Sequence, residues 1–275
     1  MPREHASKRA RAALGLSILS LIVAGLTAVF ALPQAVQSTT DVFGIELPHV
    51  TKERHRTSEM FFELVNSFDV QEIRASMAYA SPGSSAEEYA ELKYKAFLGF
   101  SLTPDPEVPA APPKPTWKGS TLQVCTDGRF PKDCADITRP EYDEKGLLSD
   151  FLDDGFPLRS LLVLPGAESD AQDTAQLRTS FVGAYPSLTT RDLTVVLRAR
   201  SLEGTHHVEL SSFASLGSTS FRDAQPRSAG GAPQLEQGQS SFYYVSGVPD
   251  DTQWMFFRAS DESKQKSEFW IDLTI

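Results

Sequence analysis

The sequence predicts an α+β protein with an N-terminal transmembrane helix, a small helices-plus-sheet domain and a C-terminal antiparallel β-sandwich. Three observations carry that expectation. An uncharged stretch from Ala12 to Leu32 follows a basic N-terminus, capping signals and helical spacing recur between Thr57 and Phe100, and alternation with period two dominates the last hundred residues.

Arg3, Lys8, Arg9 and Arg11 precede the apolar stretch, and Pro33 closes it. At about 1.5 Å per helical residue, that stretch covers the roughly 30 Å hydrocarbon core of a bilayer. A cleavable signal peptide has a shorter apolar region, of about 7–15 residues, before small residues at its cleavage site. Val29-Phe30-Ala31 would serve as such a site, but length favours an uncleaved anchor. Basic residues before a span keep that end in the cytoplasm. Residues 1–37 therefore read as cytoplasmic tail and anchor, with a single-pass body on the extracytoplasmic side of a cell membrane.

Cys125 and Cys134 are the two cysteines of the chain. In an oxidising compartment they read as a structural disulfide, which would stabilise the fold by about 2–3 kcal/mol in the chain-entropy model. A redox pair wants Cys-x-x-Cys and a zinc site wants four ligands, whereas the five histidines lie far from both cysteines in sequence.

The formal charge is −10, and residues 1–37 carry four basic side chains against Glu4, so the exported body is more acidic still. An acidic body is a poor binder of nucleic acid, and none is expected as a partner. Asn66 is the single asparagine, and Asn66-Ser67-Phe68 is not a glycosylation acceptor.

Residues 38–166 read as the α+β domain. Thr57 or Ser58 is placed to cap a short helix carrying Met60, Phe61, Leu64 and Val65. Asp69 with Glu72, and Ser85 with Glu88, have capping-box spacing before two further helices, the second ending near Phe100. Ser81-Pro82-Gly83-Ser84 separates those two, because proline removes a ladder donor and glycine relieves the turn.

From Pro104 to Pro115 six of twelve residues are proline. Such a composition favours extended polyproline conformation, so 101–118 reads as a spacer of up to about 35 Å. Strands are expected around Leu122 and Val124, at Ala135 and Ile137, from Leu147 to Leu152 and from Leu161 to Leu164, with Asp143-Glu144-Lys145-Gly146 as a hairpin turn.

Residues 167–275 read as the sandwich. Leu193, Val195, Leu197 and Ala199 fall on one strand face, with Arg198 and Arg200 on the other. Further strands are expected at Leu177 to Gly183, His207 to Phe213, Phe242 to Ser246, Trp254 to Ala259 and Phe269 to Ile275, with no helix between them. The last of these is expected to pair within its sheet, and Gly230-Gly231 is expected in a loop.

Val65-Asn66-Ser67-Phe68-Asp69-Val70, Ser81-Pro82-Gly83-Ser84-Ser85-Ala86-Glu87-Glu88-Tyr89 and the stretch from Tyr142 to Phe151 resemble membrane-anchored actinobacterial envelope proteins with a nuclear-transport-factor-2-like first domain. The resemblance implies a cone of three helices wrapped by a curved sheet around an apolar pocket, which Tyr79, Tyr89, Tyr94 and Phe97 would line, against the simpler expectation that they pack as ordinary core. The last hundred residues resemble the immunoglobulin-like sandwiches of bacterial surface proteins.

Side chains that carry catalysis are sparse. His206 and His207 are adjacent on an expected strand, where they point to opposite faces and do not chelate together. Asp150, Asp153, Asp154 and Gly155 lack the ligand spacing of a calcium loop. Ser211, Ser212, Ser240 and Ser241 sit in no nucleophile motif. Lys52, Arg54, His55 and Arg56 form a basic cluster that would meet lipid headgroups or an acidic partner, or simply be solvated. No catalytic, cofactor-binding or metal-ligating residue is expected, and no cofactor. The sequence reads as a non-catalytic binding or scaffolding protein of the bacterial envelope, held by its N-terminal helix and recognising an envelope protein. The alternative is a pocket-bearing cone domain that binds or transforms a small apolar ligand.

Overall fold

The computed structural model describes residues 48–103, 111–125, 134–165, 172–173, 176–188, 192–217, 221–224, 228–249, 252–261 and 266–272. It is an α+β structure of few helices and antiparallel sheets. Residues 54–275 form one compact unit, and the boundary expected near residue 166 falls inside it. The expected span from Ala12 to Leu32 lies outside the described residues, among which no helix is long and apolar enough to cross a membrane.

Helix α1 runs Pro48–Val65, α2 Val70–Ser76 and α3 Ser85–Phe100. The helix expected to start at Thr57 or Ser58 thus starts earlier, and neither residue caps it. Ser58 is buried mid-helix and its hydroxyl meets the Tyr142 hydroxyl at 2.7 Å, so its polarity is satisfied across the core rather than by the helix terminus. Buried Ser58, Phe61, Phe62 and Val65 make the inward stripe at helical spacing.

Asp69 caps α2 as expected, its carboxylate accepting from the amides of Gln71 at 2.7 Å and Glu72 at 3.2 Å. Ser84 rather than Ser85 caps α3, accepting from the Glu87 amide at 3.3 Å. Both serines precede the same apolar run, and spacing alone does not separate them.

Strands β1 (Lys114–Lys118), β2 (Thr121–Cys125), β3 (Cys134–Tyr142), β4 (Leu148–Asp153) and β5 (Phe156–Pro157) form an antiparallel sheet in chain order. The segment read as a spacer therefore ends in a strand. Pro115 is tolerated because β1 is an edge strand. The expected turn after Asp143 is present, with the Gly146 amide donating to the Asp143 carbonyl at 3.0 Å. The strand expected from Leu161 to Leu164 is not formed. A 3-10 turn, Leu158–Ser160, precedes it, and only Val163 bridges to Ala184.

The remaining strands make two further antiparallel sheets. One contains β6 (Gln172–Asp173), β7 (Leu177–Pro186), β8 (Leu193–Ser201), β11 (Ser228–Gly231) and β13 (Ser240–Val248), ordered β11-β13-β8-β7-β6. The other contains β9 (His206–Gly217), β10 (Phe221–Ala224), β14 (Thr252–Asp261) and β15 (Lys266–Asp272), ordered β10-β9-β14-β15, with β12 (Gln234–Leu235) also on β9. Gly230 and Gly231 lie in β11 rather than in a loop, paired to Tyr244 and Tyr243. The last strand, β15, pairs with β14 at one end of its sheet.

The centre of sheet β11-β13-β8-β7-β6 is buried on both faces. Val195, Leu197 and Tyr243 join Val208 of β9 and Leu235 of β12 in one apolar cluster. Tyr185, Val196 and Tyr244 join a second cluster with Phe61, Phe62 and Val65 of α1, Tyr89 and Leu92 of α3, and Leu122, Ile137 and Phe151 of the first sheet. The alternation expected along β8 therefore holds only toward Arg198 and Arg200, which are exposed, while Thr194 is buried and Val196 packs in the cluster that holds the α1 and α3 side chains. Helix α3 packs against β4, β7, β8, β11 and β13. Its close approach depends on Gly99, where a Cβ would lie 2.8 Å from the Phe242 carbonyl oxygen.

Candidate functional site

The groups with the most chemical potential lie where α1, α3 and β7 converge. Asn66 follows the last turn of α1 and is buried, its amide donating to the Phe62 carbonyl at 2.8 Å. That bond fixes the amide so that Oδ1 accepts from Lys93 Nζ at 2.5 Å. Lys93 is half-buried on α3, one turn beyond Tyr89, and its ammonium stands 5.6 Å from the centre of the Tyr89 ring. Both contacts are to neutral groups. Two carboxylates on α3 are otherwise occupied: Glu91 pairs with Lys95 at 2.7 Å, and Glu87 accepts from the Gly83 amide at 2.6 Å.

Burial lowers the Lys93 pKa to about 8, since no carboxylate among the described residues compensates the lost hydration. Beneath it, Tyr89 packs edge-on against Phe151 and Tyr185, with ring centres 6.2 and 5.6 Å away. Burial, followed by the fields of Tyr185 and Asp153, pushes the Tyr89 hydroxyl well above its ordinary value. Burial also raises Tyr185, against a hydrogen bond with Thr194 that acts the other way. These phenols stay protonated near neutral pH, and Lys93 is the group of this cluster that exchanges a proton near physiological pH.

The other residues singled out in the sequence are dispersed. Tyr79 and Tyr94 are half-buried, and Phe97 packs on Phe100 with ring centres 5.3 Å apart. His206 is buried, with Nε2 2.8 Å from the Glu203 carbonyl, while His207 is exposed, so the two do point apart. Asp150 accepts from the Phe151 amide at 2.9 Å and faces Arg159 at 3.7 Å. Asp154 and Gly155 have φ of 48° and 89° and form the β4–β5 turn. No group of three His, Cys, Asp or Glu among the described residues is placed to hold a metal ion.

Arg54 lies 5.3 Å from the centre of the Tyr142 ring, and His55 stacks on Trp117 at 3.9 Å. Arg56 is exposed. The basic cluster thus divides between core-facing stacking and solvent. Cys125 and Cys134 form a disulfide across β2 and β3, where they stand opposite in register with Cα atoms 4.1 Å apart.

Lys93 and Asn66 were not legible as a pair in the sequence. The available signal was a charged residue on an otherwise apolar helical stripe of Ala86, Tyr89, Ala90 and Ala96, together with the chain's single asparagine.

Fold and site together define an antiparallel α+β protein with a half-buried lysine at its helix–sheet junction. No protein-family profile and no curated protein matches the sequence. A structural-genomics target solved by X-ray crystallography is similar over 35% of this chain and 80% of its own, at 14% identity and a TM-score of 0.20, too low to carry an argument.

Proposed function

We propose that this is a membrane-anchored, extracytoplasmic binding or scaffolding protein of a bacterial cell envelope. In this reading residues 12–32 are the anchor, the helices and first sheet are a cone-like layer, and the strands after residue 167 are an immunoglobulin-like sandwich. The observation that carries it is the Cys125–Cys134 disulfide, which belongs to oxidising compartments such as the outer face of a cell membrane. The basic-then-apolar N-terminus supports the same address. A body in which one helix packs on strands of two sheets suits a surface that presents itself to a partner.

Topology and partner are tested together. A C-terminal alkaline phosphatase fusion is expected to be active, a C-terminal fluorescent-protein fusion exported by the same route to be dark, and crosslinking in native membranes to yield one specific envelope protein. A bright fluorescent fusion with an inactive phosphatase overturns the topology. Recovery of nothing above a control membrane protein overturns the scaffold.

Lys93 favours a second reading, in which the helical layer holds a small ligand. A half-buried amine with neutral partners suits the anchoring of a polar group on an otherwise apolar molecule.

A further inference from the structure

A sheet edge offers backbone donors and acceptors to any strand that can lie beside it, and this fold treats its edges unequally. Among the described residues, the terminal strands β5 and β6 have two residues each, and β10 and β11 have four. Edge strand β1 carries Lys114, Pro115 and Lys118, and proline and lysine both disfavour pairing with a further strand. Strand β15 is the longest of these edges, with seven residues and no proline, and its register with β14 runs from Asp272 to Lys266 without a shift. No described strand pairs with its other side.

The charges of β15 are placed with a symmetry that its own sheet does not use. In the β14 ladder Glu268 stands opposite Arg258, whereas Lys266 stands opposite Ser260 and Asp272 opposite Trp254. Lys266 and Asp272 each lie three residues from Phe269. A two-fold axis perpendicular to a sheet pairs two copies of one strand antiparallel and keeps every residue on its own face. Centred on Phe269, it sets Lys266 of each copy opposite Asp272 of the other. Centred on Glu268 it would set Glu268 against Glu268, and centred on Trp270 it would set Glu268 against Asp272. Like charges directly opposite destabilise a ladder and opposite charges stabilise it, so charge selects the Phe269 register. That register also joins the rows of Ser267, Phe269 and Ile271 from both copies. The row shares its face with Ala259 and with Val208, a member of the buried apolar cluster.

We propose that β15 is the interface of a two-fold dimer of this chain, in which the two β15 strands pair antiparallel about Phe269 and the β10-β9-β14-β15 sheets of two copies become one. The partner at this edge is a second copy, so the proposal goes beyond the scaffold reading and does not rest on it.

The test measures the mass of the full-length protein by sedimentation equilibrium in density-matched detergent micelles, across a dilution series. Wild type is expected to show a mass of two chains that falls to one on dilution. Lys266→Asp and Asp272→Lys each put like charges opposite one another twice per dimer, so either variant alone is expected to dimerise about tenfold more weakly. An equal mixture of the two variants restores opposite charges at both positions and is expected to form a heterodimer as tight as the wild-type dimer. Association through the apolar N-terminal stretch, or through any other surface, would ignore these charges. A wild type that stays monomeric, variants as tight as wild type, or a mixture no tighter than either variant alone overturns the proposal.

Discussion

Lys93 donates to Asn66 across the junction of α3 and the end of α1, at 2.5 Å, so a half-buried charged side chain is held by a neutral acceptor. A neutral acceptor returns less of the hydration lost on burial than a carboxylate would, and the ammonium is destabilised relative to the amine.

That destabilisation predicts an alkaline gain in stability. The folded pKa of about 8 lies below the roughly 10.4 of an unfolded lysine. The penalty is complete below pH 8 and is relieved as pH rises toward 10.4, where the unfolded chain still holds the proton and the folded one has lost it. Lys93→Met lacks this term. Denaturant unfolding of both proteins at pH 7 and pH 10 is expected to show wild type gaining on the order of 2 kcal/mol over the variant. Parallel curves would show that Lys93 is solvated.

Gly99→Ala separates helix propensity from packing. In an isolated helix alanine gains roughly 1 kcal/mol over glycine. Here the new methyl group would stand 2.8 Å from the Phe242 carbonyl oxygen, and backbone yields little. A net loss of about 1–3 kcal/mol is expected, read as a lowered Tm. A raised Tm would mean that α3 does not lie so close to β13.

Removing the disulfide with Cys125→Ser and Cys134→Ser together is expected to cost about 2–3 kcal/mol in the chain-entropy model, because a short loop is released in the unfolded chain. Wild type under reductant should match the double variant. If reductant leaves the Tm where it was, the bond adds nothing to stability.

Asp143 gives the β3–β4 turn an acid dependence. Its carboxylate accepts from the Leu147 amide at 2.9 Å, the Ser81 hydroxyl at 2.9 Å and the Lys145 amide at 2.8 Å, and the Leu147 bond does most to lower its pKa. A depressed pKa adds stability above the ordinary carboxylate range and loses it as pH falls through the folded value. Asp143→Ala is therefore expected to unfold at lower temperature than wild type at pH 7, with the difference shrinking below about pH 4. A gap in Tm that persists at pH 2.5 would assign the effect to something other than charge.

Local chemistry was legible where the information is local. Asp69 as a cap, the stop at Phe100, the turn after Asp143 and the strand through Leu193–Ala199 each rest on residues within a few positions of one another. The helical start before Ser58 was hidden, since a serine whose partner is Tyr142 has the same sequence signature as one that caps. Strand β11 was hidden as well. Ser228–Gly231 has little strand propensity, and it pairs because Tyr243 and Tyr244 lie alongside.

The amino-acid sequence by itself determined most of the helices and strands, the cysteine pairing and the charge balance, since each follows from composition or short spacing. Only tertiary structure decided that the first half of β8 is covered on both faces, that Gly99 seats α3 on β13, and that Lys93 meets Asn66. The physical reason is that hydration and packing depend on what lies opposite a side chain in space. For Lys93 and Asn66 the meeting groups are 27 residues apart and come from different helical segments.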